Sequence, residues 1–131
     1  MKENLHFLFE IPVKMMERAV RFYESVFNIK LSRHKMEFPT GNIDMAYFPD
    51  STETSSGKSG ALVHKPDKMH LTDDIQVFLH SHAQNIDEEL SRVEREGGVI
   101  ITPKTFVSKV VGYIATFMDT EGNKVSIISK K

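Results

Sequence analysis

Apolar and polar residues alternate with a period of two from Leu5 to Val13. Leu5, Phe7, Phe9, Ile11 and Val13 share one side, and His6, Leu8, Glu10 and Pro12 share the other, which predicts a strand with one continuously apolar face. Pro12 ends it, having no N–H to give to a ladder. The period then changes. Met16, Ala19, Val20, Tyr23 and Phe27 recur at helical spacing, while Lys14, Glu17, Arg18, Arg21 and Glu24 fall off that stripe. The predicted unit is therefore a strand feeding a helix, with their apolar faces packed together. The second face of the strand, carrying Leu8, Glu10 and Pro12, points elsewhere, so Glu10 stands either at a rim or inside a pocket.

Asn28 is a left-handed stop for the helix. An extended pattern resumes from Lys30 to Phe38 and ends at Pro39, Thr40 and Gly41, and Ile43, Met45 and Tyr47 then alternate with Asp44, Ala46 and Phe48 as a hairpin partner. Residues 50–60 are rich in Ser, Thr and Gly and read as a mobile loop. Ala61 to His64 is a short fourth strand. The same grammar then starts again. Asp74 to His80 alternates Ile75, Val77 and Leu79 against Gln76, Phe78 and His80. A helix runs from about Asp87 to Glu96 on the stripe Ile86, Leu90 and Val93, and Gly97 and Gly98 stop it. Val99 to Thr102 is a strand ended by Pro103. Gly112 to Met118 and Val125 to Ser129 are the last two strands, joined by a turn at residues 119–123. Each half reads strand, helix, strand, strand, strand. The expected architecture is an α+β chain of two paired modules, 1–68 and 69–131, forming a single domain.

The totals agree with that picture and exclude several functions. A chain of 131 residues buries roughly two-thirds of its unfolded surface and needs no covalent staple. Lys and Arg number 17 against 18 Asp and Glu, so no overall polyelectrolyte signal argues for a nucleic-acid partner. The absence of cysteine removes disulfides, thiolate chemistry and cysteine metal sites. No signal-peptide pattern precedes the first strand and no apolar run approaches a membrane span, so a cytoplasmic protein without a membrane partner is expected.

Several segments, in order, resemble the vicinal oxygen chelate superfamily of glyoxalase I, extradiol dioxygenases and the fosfomycin and bleomycin resistance proteins. They are Phe9 to Val13, Glu17 to Phe27 with its Phe22-Tyr23 pair, Gly97-Gly98 followed by Pro103-Lys104, and Asp119-Thr120-Glu121-Gly122-Asn123. The resemblance implies eight strands in a curled mixed sheet around a cavity, helices outside, and a homodimer. The metal enzymes of that superfamily place a His, Gln or Glu on the first strand of each module and a carboxylate or His on the last. Those places fall here at about Leu8, at Gln76 or Ile75, near Gly60 to Leu62, and at Ser126. Such side chains do not make a first-row metal site, so no cofactor is expected, and a divalent ion, if bound, would draw on Glu10, His64, Gln76 and His80.

Glu10 and His80 are the candidate catalytic groups. Between Phe9 and Ile11, Glu10 is either a general base activated by an apolar cavity or a rim carboxylate paired with a cation. His80, on the face of Gln76 and Phe78, is either an acid, base or donor to a ligand, or a strand-end cap. His80 and His82 have a metal-compatible spacing but no neighbouring ligands, and read as surface. His64 is either a pocket lip or a loop residue. Met36, Met45, Tyr47, Tyr113 and Phe117 either wall a cavity for a flat or apolar ligand or are simply core. Leu8, Gln76, Phe78 and Ser126 complete the expected ligand-binding set. No Ser lies in a sharp Gly-flanked elbow, and no Gly loop cradles phosphate. Three functions remain open. The first is metal-free binding of a small organic molecule, as in bleomycin resistance proteins. The others are a metal-dependent lyase, isomerase or dioxygenase, and a regulatory or protein-interaction module.

Overall fold

The computed structural model describes residues 9–39, 41–49, 60–64, 76–80 and 86–131, with only the backbone described for Phe9, Met36, Phe38, Gln76, Phe78 and His80. In order the elements are β1 (Phe9–Pro12), α1 (Met16–Phe27), β2 (Ser32–Phe38), β3 (Gly41–Tyr47) and β4 (Gly60–His64). The second half repeats them as β5 (Gln76–His80), α2 (Ile86–Arg95), β6 (Val99–Ser108), β7 (Gly112–Met118) and β8 (Lys124–Ser129). Among the described residues eight strands form two four-stranded sheets, ordered β1-β4-β3-β2 and β5-β8-β7-β6. The first and last strands of each module run parallel, and the remaining pairs are antiparallel. The repeat seen in the sequence is thus a repeat of topology. The mixed sheet is divided into two, one per module. The expected module boundary and residues 50–59 of the expected 50–60 loop lie outside the described residues, and Gly60 opens β4 instead of ending the loop.

Both helices close one core. Ile11, Val13, Ala46, Phe48 and Leu62 of the first module join Val77, Ala115, Phe117, Val125 and Ile127 of the second around Phe22, Tyr23, Val26 and Val93. The buried stripe of α1 is wider than Met16, Ala19, Tyr23 and Phe27 alone, because Phe22 and Val26 are also buried. The reason is tertiary. The helix covers its own sheet and also meets the second module, where Phe22 lies 5.8 Å and Phe27 6.3 Å from Phe117, ring to ring. One seam of contact needs a narrow stripe, and two need a broad one.

The helix ends obey local rules. Asn28 at φ 56° caps α1, its N–H donating to the Glu24 carbonyl. Gly97 at φ 102° ends α2, with Gly97 N–H to Glu94 O at 3.2 Å and Gly98 N–H to Val93 O at 2.8 Å, the paired bonds of a Schellman motif. Gly98 has a second reason to be glycine: a Cβ there would stand 2.8 Å from the Met118 carbonyl and 2.9 Å from the Phe22 ring.

One strand differs from expectation. β6 does not stop at Pro103 but runs on to Ser108. It is an edge strand, and its pairing with β7 skips register between Thr102 and Thr105. Pro103 therefore falls in an irregularity at a sheet edge, where a missing N–H removes no ladder bond.

Candidate functional site

Residues paired across a ladder share a face, so the register decides which side of each sheet faces away from the helices. In the first sheet Ile11, Leu62 and Ala46 align toward the core. The opposite face, helix-free in the sense that neither α1 nor α2 covers it, carries Glu10, Ala61 and Tyr47 in one row, and Pro12, Val63, Met45 and His34 in the next. Met45, Ala61 and Val63 form a second buried apolar cluster with Ile43 and Tyr47 packed against it. The Tyr47 hydroxyl donates to the Met45 sulfur at 3.5 Å, and the His34 ring meets the Tyr47 ring edge-on at 5.2 Å. Glu10 is exposed at the end of its row.

In the second sheet Val77, Ala115, Phe117, Val125 and Ile127 face the core. Ser126 is paired with Phe78 and Thr116, and the Ser126 and Thr116 hydroxyls lie 2.8 Å apart. The helix-free face of β7 is therefore Ile114, Thr116 and Met118. Tyr113 and Phe117, weighed as cavity walls, lie on the other side. Phe117 is fully buried against α1, and Tyr113 packs at the margin of the same core beneath the Lys104 ammonium, 4.6 Å from its ring centre. The alternation along β7 is as expected, and of the two readings of Tyr113 and Phe117 the core one is what the packing shows.

The donor set for a metal is likewise rearranged. Glu10 aligns with Ala61, whereas His64 shares the opposite face with Leu62 and Asp44 and holds the Val13 carbonyl through Nδ1 at 3.0 Å. Glu10 and His64 thus cannot join one centre. On the helix-free faces β4 presents Ala61 and Val63, and β8 presents Ser126 and Ile128, none of which binds a first-row ion well. Among the described residues no three His, Asp or Glu side chains gather as a site. At the described β4 and β8 positions the side chains are not the carboxylate or imidazole ligands that the superfamily's metal enzymes place there. Leu8 and His82 lie outside the described residues, as do the side chains of Met36, Gln76, Phe78 and His80.

What reading by composition missed is a polar junction between the modules. The turn at residues 119–123 is more than a turn. Glu121 is 3% exposed, and its carboxylate accepts from the Lys14 and Met15 backbone N–H groups at 2.8 and 2.9 Å and from Arg18 Nε at 2.6 Å. Met15, the N-cap, supplies no side-chain cap of its own. A carboxylate from the second module thus satisfies donors at the start of α1 and complements its dipole. Burial pushes the Glu121 carboxyl upward, but the Arg18 hydrogen bond and the Met15 and Lys14 amides outweigh it, and the group is held down at about 2. Arg18 is raised in turn, chiefly by its hydrogen bond to Glu121.

Asp119 sits beside it. It accepts the Tyr23 hydroxyl at 2.5 Å and the Glu121 and Asn123 amides at 2.8 Å each, while the Asn123 side chain donates to the Pro12 carbonyl at 2.8 Å. Burial first, and the Asp119 charge second, push the Tyr23 phenol well above its ordinary value, so it stays a donor. At the other end of α1, Arg92 of α2 donates from Nε to the Val26 carbonyl at 2.8 Å. No basic residue of α1 occupies its own last turn. Both ends of the helix therefore receive their charge from the opposite module. Arg92→Met should lower stability by about 1 kcal/mol, read as a shift in the urea midpoint without a change in slope.

The chain belongs to the Glyoxalase/Bleomycin resistance protein/Dioxygenase superfamily, whose family profile matches residues 5–127. Similar solved structures include a glyoxalase family protein from Bacillus cereus, 16% identical with a TM-score of 0.71, covering 98% of this chain and 95% of that one. An antibiotic binding protein from Streptomyces sp. CB03234 is 18% identical with a TM-score of 0.66, covering 100% and 99% of the two chains. A glyoxalase I variant from Zea mays, 18% identical with a TM-score of 0.68, covers 95% of this chain, which spans 45% of the maize chain. At such identities the likeness establishes the fold. No curated protein matches the sequence.

Proposed function

We propose that this protein binds a small organic molecule on the helix-free face of its first sheet, without a tightly held metal. The observation that carries the reading is the composition of that face. Met45, Ala61, Val63 and Ile43 make an apolar floor, and Tyr47 with His34 makes an aromatic margin. Glu10 is the carboxylate at its edge. An apolar surface with a few placed polar groups suits a flat or apolar ligand rather than a charged metabolite. The β4 and β8 positions support the metal-free part, since they offer methyl groups and a hydroxyl where a metal enzyme needs ligands. The antibiotic binding protein of the same fold is a precedent for binding by a member of the family.

The test is a thermal-shift screen of flat aromatic compounds, with and without zinc, manganese and nickel ions. An aromatic hit should raise the melting temperature regardless of metal, since a ligand that binds only the folded state stabilises it. Tyr47→Ala should then weaken that hit by about tenfold, on the order of 1–1.5 kcal/mol for an aromatic contact. Stoichiometric metal in protein purified without chelator, or a hit indifferent to Tyr47, would refute the reading.

A further inference from the structure

The near balance of charge over the whole chain conceals a local segregation. Residues 99–118 and 124–131, which hold β6, β7 and β8, carry Lys104, Lys109, Lys124, Lys130 and Lys131 and not one Asp or Glu. The β6–β7 hairpin ends these strands in an aliphatic tip: Val107 is 50%, Val110 80% and Val111 36% exposed. The end of β8 is fastened beside it, because the Lys130 ammonium donates to the Val110 carbonyl and Ser129 pairs with Tyr113. Exposed Lys109, Lys130 and Lys131 therefore flank exposed valines at one end of the second sheet. Lys124 stands at the other end of β8, paired with Met118.

We propose that this tip docks on an anionic lipid surface, with the valines entering the headgroup boundary and Lys109, Lys130 and Lys131 meeting lipid phosphates. The charge pattern selects this occupant. Self-association through the tip would bring the lysines of two copies together, which is repulsive. A nucleic-acid surface would use the lysines but gain nothing from aliphatic side chains, and the two segments contain no arginine for base or phosphate forks. A lipid boundary uses both halves of the pattern: it accepts apolar side chains and attracts basic ones. The contact is peripheral and reversible; no helix among the described residues is long and apolar enough to cross a membrane.

Co-sedimentation of the full chain with vesicles tests this. Vesicles of phosphatidylcholine with about a third phosphatidylglycerol should pellet the protein at low salt, and pure phosphatidylcholine should not. Raising the salt to about 0.5 M should release it. Each of Lys109→Gln and Lys130→Gln should weaken binding about fivefold, and Val110→Asp should weaken it at least as much. All three positions are exposed, and an unchanged melting curve confirms that the variants fold. Lys124→Gln, at the far end of the sheet, should bind as the parent does. Binding to neutral vesicles as strong as to anionic ones, no binding to either, or equal losses from Lys124→Gln and Lys109→Gln would overturn the proposal. Preferential capture by RNA or an acidic peptide over anionic vesicles would do the same.

Discussion

Glu121→Gln is expected to cost about 2–3 kcal/mol of folding stability although the substitution lies in a turn, because it breaks a charged junction rather than a loop contact. The carboxylate is enclosed, and four donors converge on it: two backbone amides at the start of α1, the Arg18 guanidinium and the Thr120 hydroxyl. An amide in its place keeps one acceptor oxygen and turns an NH2 group toward Arg18 or the helix amides. The pH dependence follows from the same pairing. The Glu121 carboxyl lies at about 2 in the folded protein against an ordinary 4.5. Its contribution is therefore complete above about 4.5 and is lost as the pH falls through the folded value. Urea midpoints of the parent and of Glu121→Gln should differ fully at neutral pH and converge as the pH is lowered from 4.5 toward 2. A constant difference across that range would show that Glu121 acts through packing and not through its charge.

Phe117→Ala should be the more damaging substitution, at about 3–5 kcal/mol, the usual cost of deleting a fully buried aromatic ring. Phe117 has no exposed surface and touches both Phe22 and Phe27. Removing it opens a void at the seam where α1 of the first module meets β7 of the second. This experiment also separates two assignments of the residue. If Phe117 served a ligand, the variant would keep its stability and lose affinity. From the observed packing, its denaturation midpoint should fall sharply, and affinity for any compound found by screening should be unchanged in the fraction that remains folded. Thr116→Val, one residue away on the helix-free side, should have a far smaller effect on stability, limited to its hydroxyl contact with Ser126.

The two faces of β7 show where sequence reading succeeds and where it runs out. Alternation separated Tyr113, Ala115 and Phe117 from Ile114, Thr116 and Met118, but both sets are apolar enough to be buried, so the pattern could not say which one the helices cover. Where one face was clearly more polar, as in β1, the assignment of Ile11 and Val13 to the core agrees with the structure. Glu10 and His64 are a harder case. Each alone is a credible ligand, and only the parallel register of β1 with β4 shows that they stand on opposite sides of one sheet. The turn at residues 119–123 was legible as a turn and as a family motif. Its charged role was not, because its partners Lys14, Met15, Arg18 and Tyr23 are about a hundred residues distant in the chain.

The order of elements, the doubled module, the helix stops at Asn28 and Gly97 and the family were all readable from the chain alone, since each depends on spacing or on the backbone preference of a few adjacent residues. The division into two sheets, the face of β7 that enters the core, the continuation of β6 through Pro103 and the carboxylate clamp on α1 were decided only by tertiary structure. These depend on which strands become neighbours and on charges that meet across modules, and a one-dimensional pattern carries neither distance nor side.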